Sequence, residues 1–365
     1  MLTKEKGNEQ LSLQLDTNYS IDIPNSPPTT RYQGSKLKLS DWIWGHLSGL
    51  DFTSALDVFG GTGTVSYLLK SKGKSIQYND VLQFNSIIGK AFIENKREII
   101  TEDELESILL AASMKKKNGF IANTFEDIYF TSDENLWLDS IIPAIKSISN
   151  PFKQSLAYYA LFQSCIIKRP YNLFHRKNLY VRTANVERSF GNKTSWDTPF
   201  ETHFKKFVLE GNRSVFDNGH NNTATCNDAF DLKGKYDLVY MDPPYTSSKG
   251  ISVDYHQFYH FLEGLVLYDE WPELLDAKSK HRRLIPKYNI WNDKKEIGNA
   301  FSMLFSKFKE SALVVSYRSD GIPSPQEICD RMSEYKKNVQ VFHMKNYQYV
   351  LSTKKTSDEV LIIGT

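Results

Sequence analysis

The chain is short of net charge, of cysteine and of long apolar runs, and each shortage excludes something. Forty-five basic against 43 acidic residues leave a formal charge of +2. No global positive field therefore draws the protein to a polyanion, and any contact with nucleic acid has to come from local basic patches. The three cysteines, Cys165, Cys226 and Cys329, are isolated. Their spacing offers neither a disulfide framework nor a metal site, which predicts a reducing, intracellular setting and no bound metal. No stretch reaches membrane-spanning length, and the polar start of the chain lacks the apolar core of a signal peptide. A soluble cytoplasmic protein with no membrane partner is expected. At 365 residues the chain can bury a full core as one large domain with an insertion, or as two domains.

What is present centres on Asp242-Pro243-Pro244-Tyr245, directly after the apolar run Leu238–Met241. That run is short and β-prone enough to be a buried parallel strand, and two successive prolines cannot continue a ladder. The strand stops at Asp242. Each proline fixes its own φ and restricts the residue before it, so the backbone carrying the carboxylate is held stiffly. On these four residues alone a catalytic acid and a plain strand end with a turn are equally good readings.

Upstream, residues 54–59 form a second short strand that runs into Gly60-Gly61-Thr62-Gly63-Thr64-Val65 and then a helix over 66–70. Strand, glycine turn and helix make a nucleotide-type binding unit, in which the backbone approaches the ligand and free N–H groups hold an anion. The third glycine of the dinucleotide fingerprint is missing, since Ser66 occupies its place, which argues against a standard nicotinamide site. A third strand over 75–78 ends at Asn79-Asp80. It places an acid about twenty residues past the glycine turn, where it can accept hydrogen bonds from a ribose. Loop and acid together point to an adenosine-containing cofactor.

Residues 1–30 read as a flexible arm. Arg31-Tyr32-Gln33-Gly34-Ser35-Lys36 follows as a glycine turn, with Ser35 placed to cap a helix carrying Leu37, Leu39, Trp42, Ile43 and Leu47. An aromatic and a lysine beside a helix start suit an anionic, ring-bearing ligand, though an ordinary capped helix is the plainer reading. From 83 to 212 the pattern is helical, with capping boxes at Thr101/Glu104, Thr131/Glu134 and Thr198/Glu201, and with Pro151 and Pro199 at first helical positions. Phe200, Phe204 and Phe207 make an apolar stripe assigned to the core.

Within this block lies a segment in which basic residues alternate with aromatics and amides: Lys168, Arg169, Tyr171, Asn172, Phe174, His175, Arg176 and Lys177, continued by Arg182, Phe190, Asn192 and Lys193. Arg and Lys neutralise phosphates, and Asn, Arg and His can read base edges. A solvated basic loop is the alternative, against which the interleaved aromatics count. Strand signals return at 223–226, before Asn227-Asp228, another acid at a strand end opening onto the same sheet edge. A basic cluster from Lys278 to Lys287, a clean strand over 312–317, a capped helix at Ser324 and a closing strand pair over 339–342 and 359–363 complete the chain.

With its motifs in this order the chain resembles the alpha-group, Dam-like DNA adenine methyltransferases, from Arg31 onward. Arg31 to Leu39 is similar to that family's N-terminal cofactor motif, Asp57-Val58-Phe59-Gly60-Gly61-Thr62-Gly63 to its methionine-binding motif, and Asp242-Pro243-Pro244-Tyr245 to its catalytic motif. The resemblance implies an α/β fold: a Rossmann-like, mostly parallel methyltransferase sheet with an antiparallel C-terminal strand. The catalytic domain would span 31–100 and 222–365, around a helical target-recognition insert at 101–221. It implies S-adenosyl-L-methionine as cofactor, held by Tyr32, Gly34, Lys36, Asp57, Phe59, Gly61 and Gly63, with Asp80 on its ribose, Asn227 or Asp228 near its adenine, and Asp242 beside it.

The substrate it implies is the N6 amine of adenine, flipped from a specific double-stranded DNA sequence. Asp242 and the Pro243 carbonyl would accept the amine N–H groups and Tyr245 would stack on the base. A monomer with a cognate restriction endonuclease is the expected assembly. Cytosine-N4 methylation shares this chemistry and stays open, as does a nucleic-acid-binding module that keeps the fold without catalysis. A nicotinamide oxidoreductase is a distant third.

Overall fold

A computed structural model describes residues 27–114, 118–186, 193–246, 253–344 and 358–365. Seven strands form one sheet: β1 Ser54–Asp57, β2 Ser75–Asn79, β3 Thr223–Thr225, β4 Leu238–Met241, β5 Ala312–Arg318, β6 Val339–Met344 and β7 Glu359–Gly364. Their order across the sheet is β3-β2-β1-β4-β5-β7-β6. The first five are parallel, and β7 runs antiparallel to both β5 and β6. The mostly parallel sheet with antiparallel C-terminal strands is the one anticipated from the motif order. Four-residue strands buried on both faces, such as Leu238–Met241, need helices on each side, and the chain supplies them.

The order reverses between β1 and β4, so the connections leave in opposite directions and open a crevice at the carboxyl ends of those strands. Asp57 pairs in register with Tyr240 on β4 and Tyr78 on β2. Three residues the sequence singles out, Asp57, Asp80 and Asp242, thereby meet at one edge.

The helices between β2 and β3 do not form a separate core. Phe84 packs edge-on against Phe162, and Phe92 against Tyr159, so the apolar helix Pro151–Ile167 belongs to the same cluster as the sheet. Capping boxes close at Thr101/Glu104, Thr131/Glu134 and Ser324/Glu327. A Ser or Thr cap of this kind contributes about 1 kcal/mol. Two helix starts differ from expectation. Pro199, not Thr198, caps Phe200–Arg213, and no side-chain cap forms there. After Ser35 the chain makes a short 3-10 turn, Leu37–Leu39, before the α-helix Ser40–Leu47, so Ser35 does not cap that helix. Among the described residues no helix is long and apolar enough to cross a membrane.

Candidate active site

A cavity of about 560 Å³ occupies the crevice at the β1/β4 switch point, within the size range of small-molecule sites. Of the residues singled out for a cofactor, Tyr32, Gly34, Lys36, Asp57, Phe59, Gly61, Asp80, Asn227, Asp228 and Asp242 line it. Gly63 does not. It supplies the turn instead, with φ of +72° at the start of the helix Thr64–Ser71 and its N–H on the Gly60 carbonyl at 2.7 Å. Gly61 has φ of +51° and donates its N–H to Asp80 Oδ2 at 2.9 Å. Asp80 Oδ1 accepts from the Leu82 N–H at 2.8 Å. One carboxylate thus fixes the glycine turn and the start of the next helix while facing the cavity. At Gly34, φ is +88° and an added Cβ would lie 2.5 Å from the Tyr255 hydroxyl, so this turn tolerates no side chain.

At the far end of the cavity Asp242 belongs to a buried cluster. Lys36 Nζ lies 3.0 Å from Asp242 Oδ2, 3.1 Å from Glu359 Oε1 and 2.5 Å from the Tyr245 hydroxyl oxygen. The Tyr245 hydroxyl is 2.7 Å from Asp242 Oδ1 and 3.0 Å from Glu359 Oε1. Burial raises the Asp242 pKa to about 6; Lys36 opposes that rise and Glu359 adds to it. Burial by itself would lower the Lys36 pKa, but Asp242 and Glu359 outweigh it and hold the ammonium above its ordinary value. Burial thus makes Asp242 a weaker acid than a free carboxyl, and Lys36 is what holds it towards the ionised form.

The cavity walls suit a group with an ammonium, hydroxyls and a flat ring. Asp57 is buried; its Oδ2 accepts from the Ser66 hydroxyl at 2.7 Å, while Oδ1 has no protein partner. Burial raises its pKa to about 7. Asn85 Oδ1 is likewise buried without a partner on the cavity wall. Buried acceptors left open are costly unless a ligand supplies donors. Phe59, Phe230, Ile290 and Trp291 make the opposite wall apolar, with Phe230 and Trp291 near-parallel at 6.0 Å.

A family model for the D12 class N6 adenine-specific DNA methyltransferases matches residues 32–320. The chain belongs to that class. It is 29% identical over 327 residues to the Type II methyltransferase M2.HphI of Haemophilus parahaemolyticus, covering 87% of this chain and 91% of that protein. It is 28% identical to the Type II methyltransferase M.FokI of Planomicrobium okeanokoites, over 82% of this chain and 46% of that protein. To M.NlaIII of Neisseria lactamica it is 24% identical, over 83% and 89%.

In this D12-class chain the basic aromatic segment divides in two. Lys168, Arg169 and Arg182 are buried, which corrects their assignment to DNA phosphates. Lys168 Nζ pairs with Glu134 at 2.9 Å and donates to the Trp196 carbonyl at 2.8 Å. Arg182 makes a two-pronged bond to Glu134 at 2.6 and 2.9 Å. Arg169 lies over the Tyr129 ring and donates to the Leu173 and Arg176 carbonyls and to Asn178. Its burial without a carboxylate brings its pKa down to about 9. These cations shape the segment from inside.

The exposed remainder is Tyr171, Arg176 and Lys177, with Asn172 and His175 half-buried. Tyr171 and Asn172 both have positive φ, +65° and +58°, and Tyr171 is 64% exposed. Lys193 is exposed and pairs with Asp197. Asn192 lies outside the described residues.

Two members of the proline motif also differ from expectation. Pro244 lines the cavity beside Asp242, but Pro243 and Tyr245 do not. The Tyr245 ring is buried, edge-on to Tyr317 at 5.1 Å, so stacking on a base requires its release from Tyr317 and from both carboxylates. Tyr255 does line the cavity, in a parallel stack with Tyr32 at 5.3 Å. The sequence reading missed Tyr255, Phe230, Trp291 and Glu359. Only the aromatic density around 255–261 hinted at any of them.

Proposed function

We propose that the chain methylates the N6 amine of adenine in a specific duplex sequence, taking the base from the helix into the end of the cavity that Asp242 closes. S-adenosyl-L-methionine, the methyl donor of such enzymes, supplies a methyl group made electrophilic by its sulfonium. Asp57 and Asn85 would take donors at one end of the cofactor, Asp80 its ribose hydroxyls, and Phe59, Asn227, Asp228 and Phe230 its adenine. Tyr32, Gly34, Lys36 and Gly61 shape the space between, and Gly63 sets the turn.

The exocyclic amine is a weak nucleophile because its lone pair is delocalised into the ring. Asp242 accepts from the amine, which draws the nitrogen towards tetrahedral geometry and stabilises the positive charge that develops on it; the Pro243 carbonyl, which does not line the cavity, would accept the second N–H only after the turn shifts. Bound S-adenosyl-L-methionine would supply the methyl group, and Asp242 would take up the proton that the methylated amine sheds and pass it to solvent. Holding amine and methyl in line supplies much of the remaining acceleration. Unstacking the base costs a few kcal/mol, and the Tyr255 ring face beside the cavity offsets part of it.

Tyr171, Asn172, His175, Arg176, Lys177, Asn192 and Lys193 would carry the DNA contacts, and the helices over 101–221 the recognition. A monomer acting beside a cognate restriction endonuclease completes the reading, the latter because the relatives carry Type II names.

The observation that carries this reading is the carboxylate of Asp242 at one end of a cavity whose other walls leave Asp57 and Asn85 acceptors open. The test is transfer of labelled methyl to unmethylated duplex DNA, followed by digestion to nucleosides. Label in N6-methyl-deoxyadenosine is expected; label only in methyl-deoxycytidine, or none, would overturn it.

A further inference from the structure

Glu359 stands where an apolar residue would serve the core. It opens β7, which continues as Val360, Leu361, Ile362 and Ile363, all buried. Its carboxylate is buried too, accepting from the Ser316 hydroxyl at 2.6 Å and reaching Tyr245 and Lys36 at 3.0 and 3.1 Å. It also lies beyond residues 32–320, the stretch the family model matches.

Stability alone is a poor reason for it. Taking a charge pair out of water costs about what its attraction returns, and packed apolar side chains would do as well. Here the imbalance is greater, because Lys36 already has a carboxylate in Asp242 and Glu359 adds a second. Two carboxylates share one ammonium and one phenol, with the Ser316 hydroxyl also on Glu359. The Tyr245 hydroxyl has a single hydrogen, so it donates to Asp242 or to Glu359 but not fully to both. Without Glu359, Lys36 and Tyr245 would close on Asp242 alone and occupy the lone pairs an incoming amine needs.

We propose that Glu359 is a positioning residue for methyl transfer: by sharing Lys36 and Tyr245 with Asp242, it keeps the Asp242 carboxylate placed and open to the substrate amine. This rests on the adenine-methylating reading above. Among the described residues, the charged and titratable groups facing Asp242 are Lys36, Glu359, Tyr245, Tyr240, Tyr255 and Asp57. Glu359 is a like charge that raises the Asp242 pKa, so removing it lets that pKa fall.

The test compares wild type and Glu359→Gln in single-turnover methyl transfer to unmethylated genomic DNA across the acid range, beside calorimetric titration with the cofactor. Expected are cofactor affinity within a few-fold of wild type, a plateau rate down about tenfold, and an acid limb moved to lower pH by about half a unit or more. An acid limb that does not move, whatever the plateau, would make Glu359 a structural residue and overturn the proposal.

Glu359→Asp keeps the charge but draws the carboxylate back from Lys36 and Tyr245. It should hold the wild-type limb and lose rate with cofactor affinity intact; an unchanged rate with a lowered melting temperature would overturn the proposal even if Glu359→Gln does not fold. A reading independent of turnover is the NMR titration of the Asp242 carboxyl carbon, which must move the same way in Glu359→Gln. If the wild type transfers no methyl group, the functional reading fails, and this titration still decides the role of Glu359.

Discussion

Lys36 Nζ lies 3.0 Å from Asp242 Oδ2 and joins the turn at Gly34 to the acid at the end of β4. The ion pair is buried, with the two side chains 6% and 17% exposed, so neither charge is screened as a surface pair would be. Each charge therefore shifts the other's pKa, Lys36 lowering that of Asp242 and Asp242 raising that of Lys36.

That coupling sets the pH dependence. The Asp242 pKa is raised to about 6, first by burial, and the acid must be ionised to accept from the amine. Methyl transfer should rise with pH through about 6 and level above it. Lys36→Met removes the charge that opposes the rise, so its acid limb should move to higher pH. A Lys36→Met profile superimposed on wild type would separate the two residues.

Asp242→Ala should abolish turnover while leaving cofactor binding within a few-fold, because Asp57, Asn85 and Asp80 are untouched. Loss should exceed about a thousandfold if Asp242 is the principal charged acceptor, by comparison with removal of one oxyanion-type partner. Calorimetry with the cofactor and a labelled-methyl assay check both halves.

Asp57 trades stability for binding. Its folded pKa is raised to about 7 against about 3.9 unfolded, so its contribution is full below about 4, falls as pH rises between the two values and has gone above 7. At pH near 8 the buried carboxylate is a cost. Asp57→Asn should melt at the same temperature as wild type or higher at that pH without ligand, yet gain less on adding cofactor. Differential scanning calorimetry with and without cofactor reads both.

Basic residues of the recognition segment should sort by burial. Neutralising Arg176 and Lys177 together should weaken duplex binding and flatten its salt dependence by up to about two in slope, with little change in melting temperature. Lys168→Met and Arg182→Met together leave Glu134 without either of its cations and should lower the melting temperature, with a loss of about 3 kcal/mol or more in stability. Salt titrations of DNA binding beside thermal melts distinguish the two groups.

Much of this architecture is legible from local signals. Strand ends at Asp57 and Met241 are followed within three residues by glycine or proline and that at Asn79 by an aspartate, and capping at Thr101, Thr131 and Ser324 needs only four residues of context. The meeting of Asp57, Asp80 and Asp242 at one cavity follows, because the sheet order brings those ends together. Contacts made at long range are not legible. Lys168 and Arg182 look like DNA ligands until Glu134 arrives from another helix. Arg169 follows the buried helix Pro151–Ile167, and its acceptors are carbonyls that a sequence does not display. Thr198 failed as a cap because Pro199 takes the cap position. Glu359 reads as the polar edge of an apolar strand until β7 sets it against Lys36.

On the proposed function, Asp242 directs a methyl group to the adenine amine at one DNA sequence. Mapping modified bases in DNA from cells that express the protein tests it most directly, because base, atom and sequence context are read together. N6-methyladenine at one recurring sequence, absent when Asp242→Ala is expressed, is the predicted result. N4-methylcytosine at the recurring site, or an adenine signal that persists in Asp242→Ala, would contradict it.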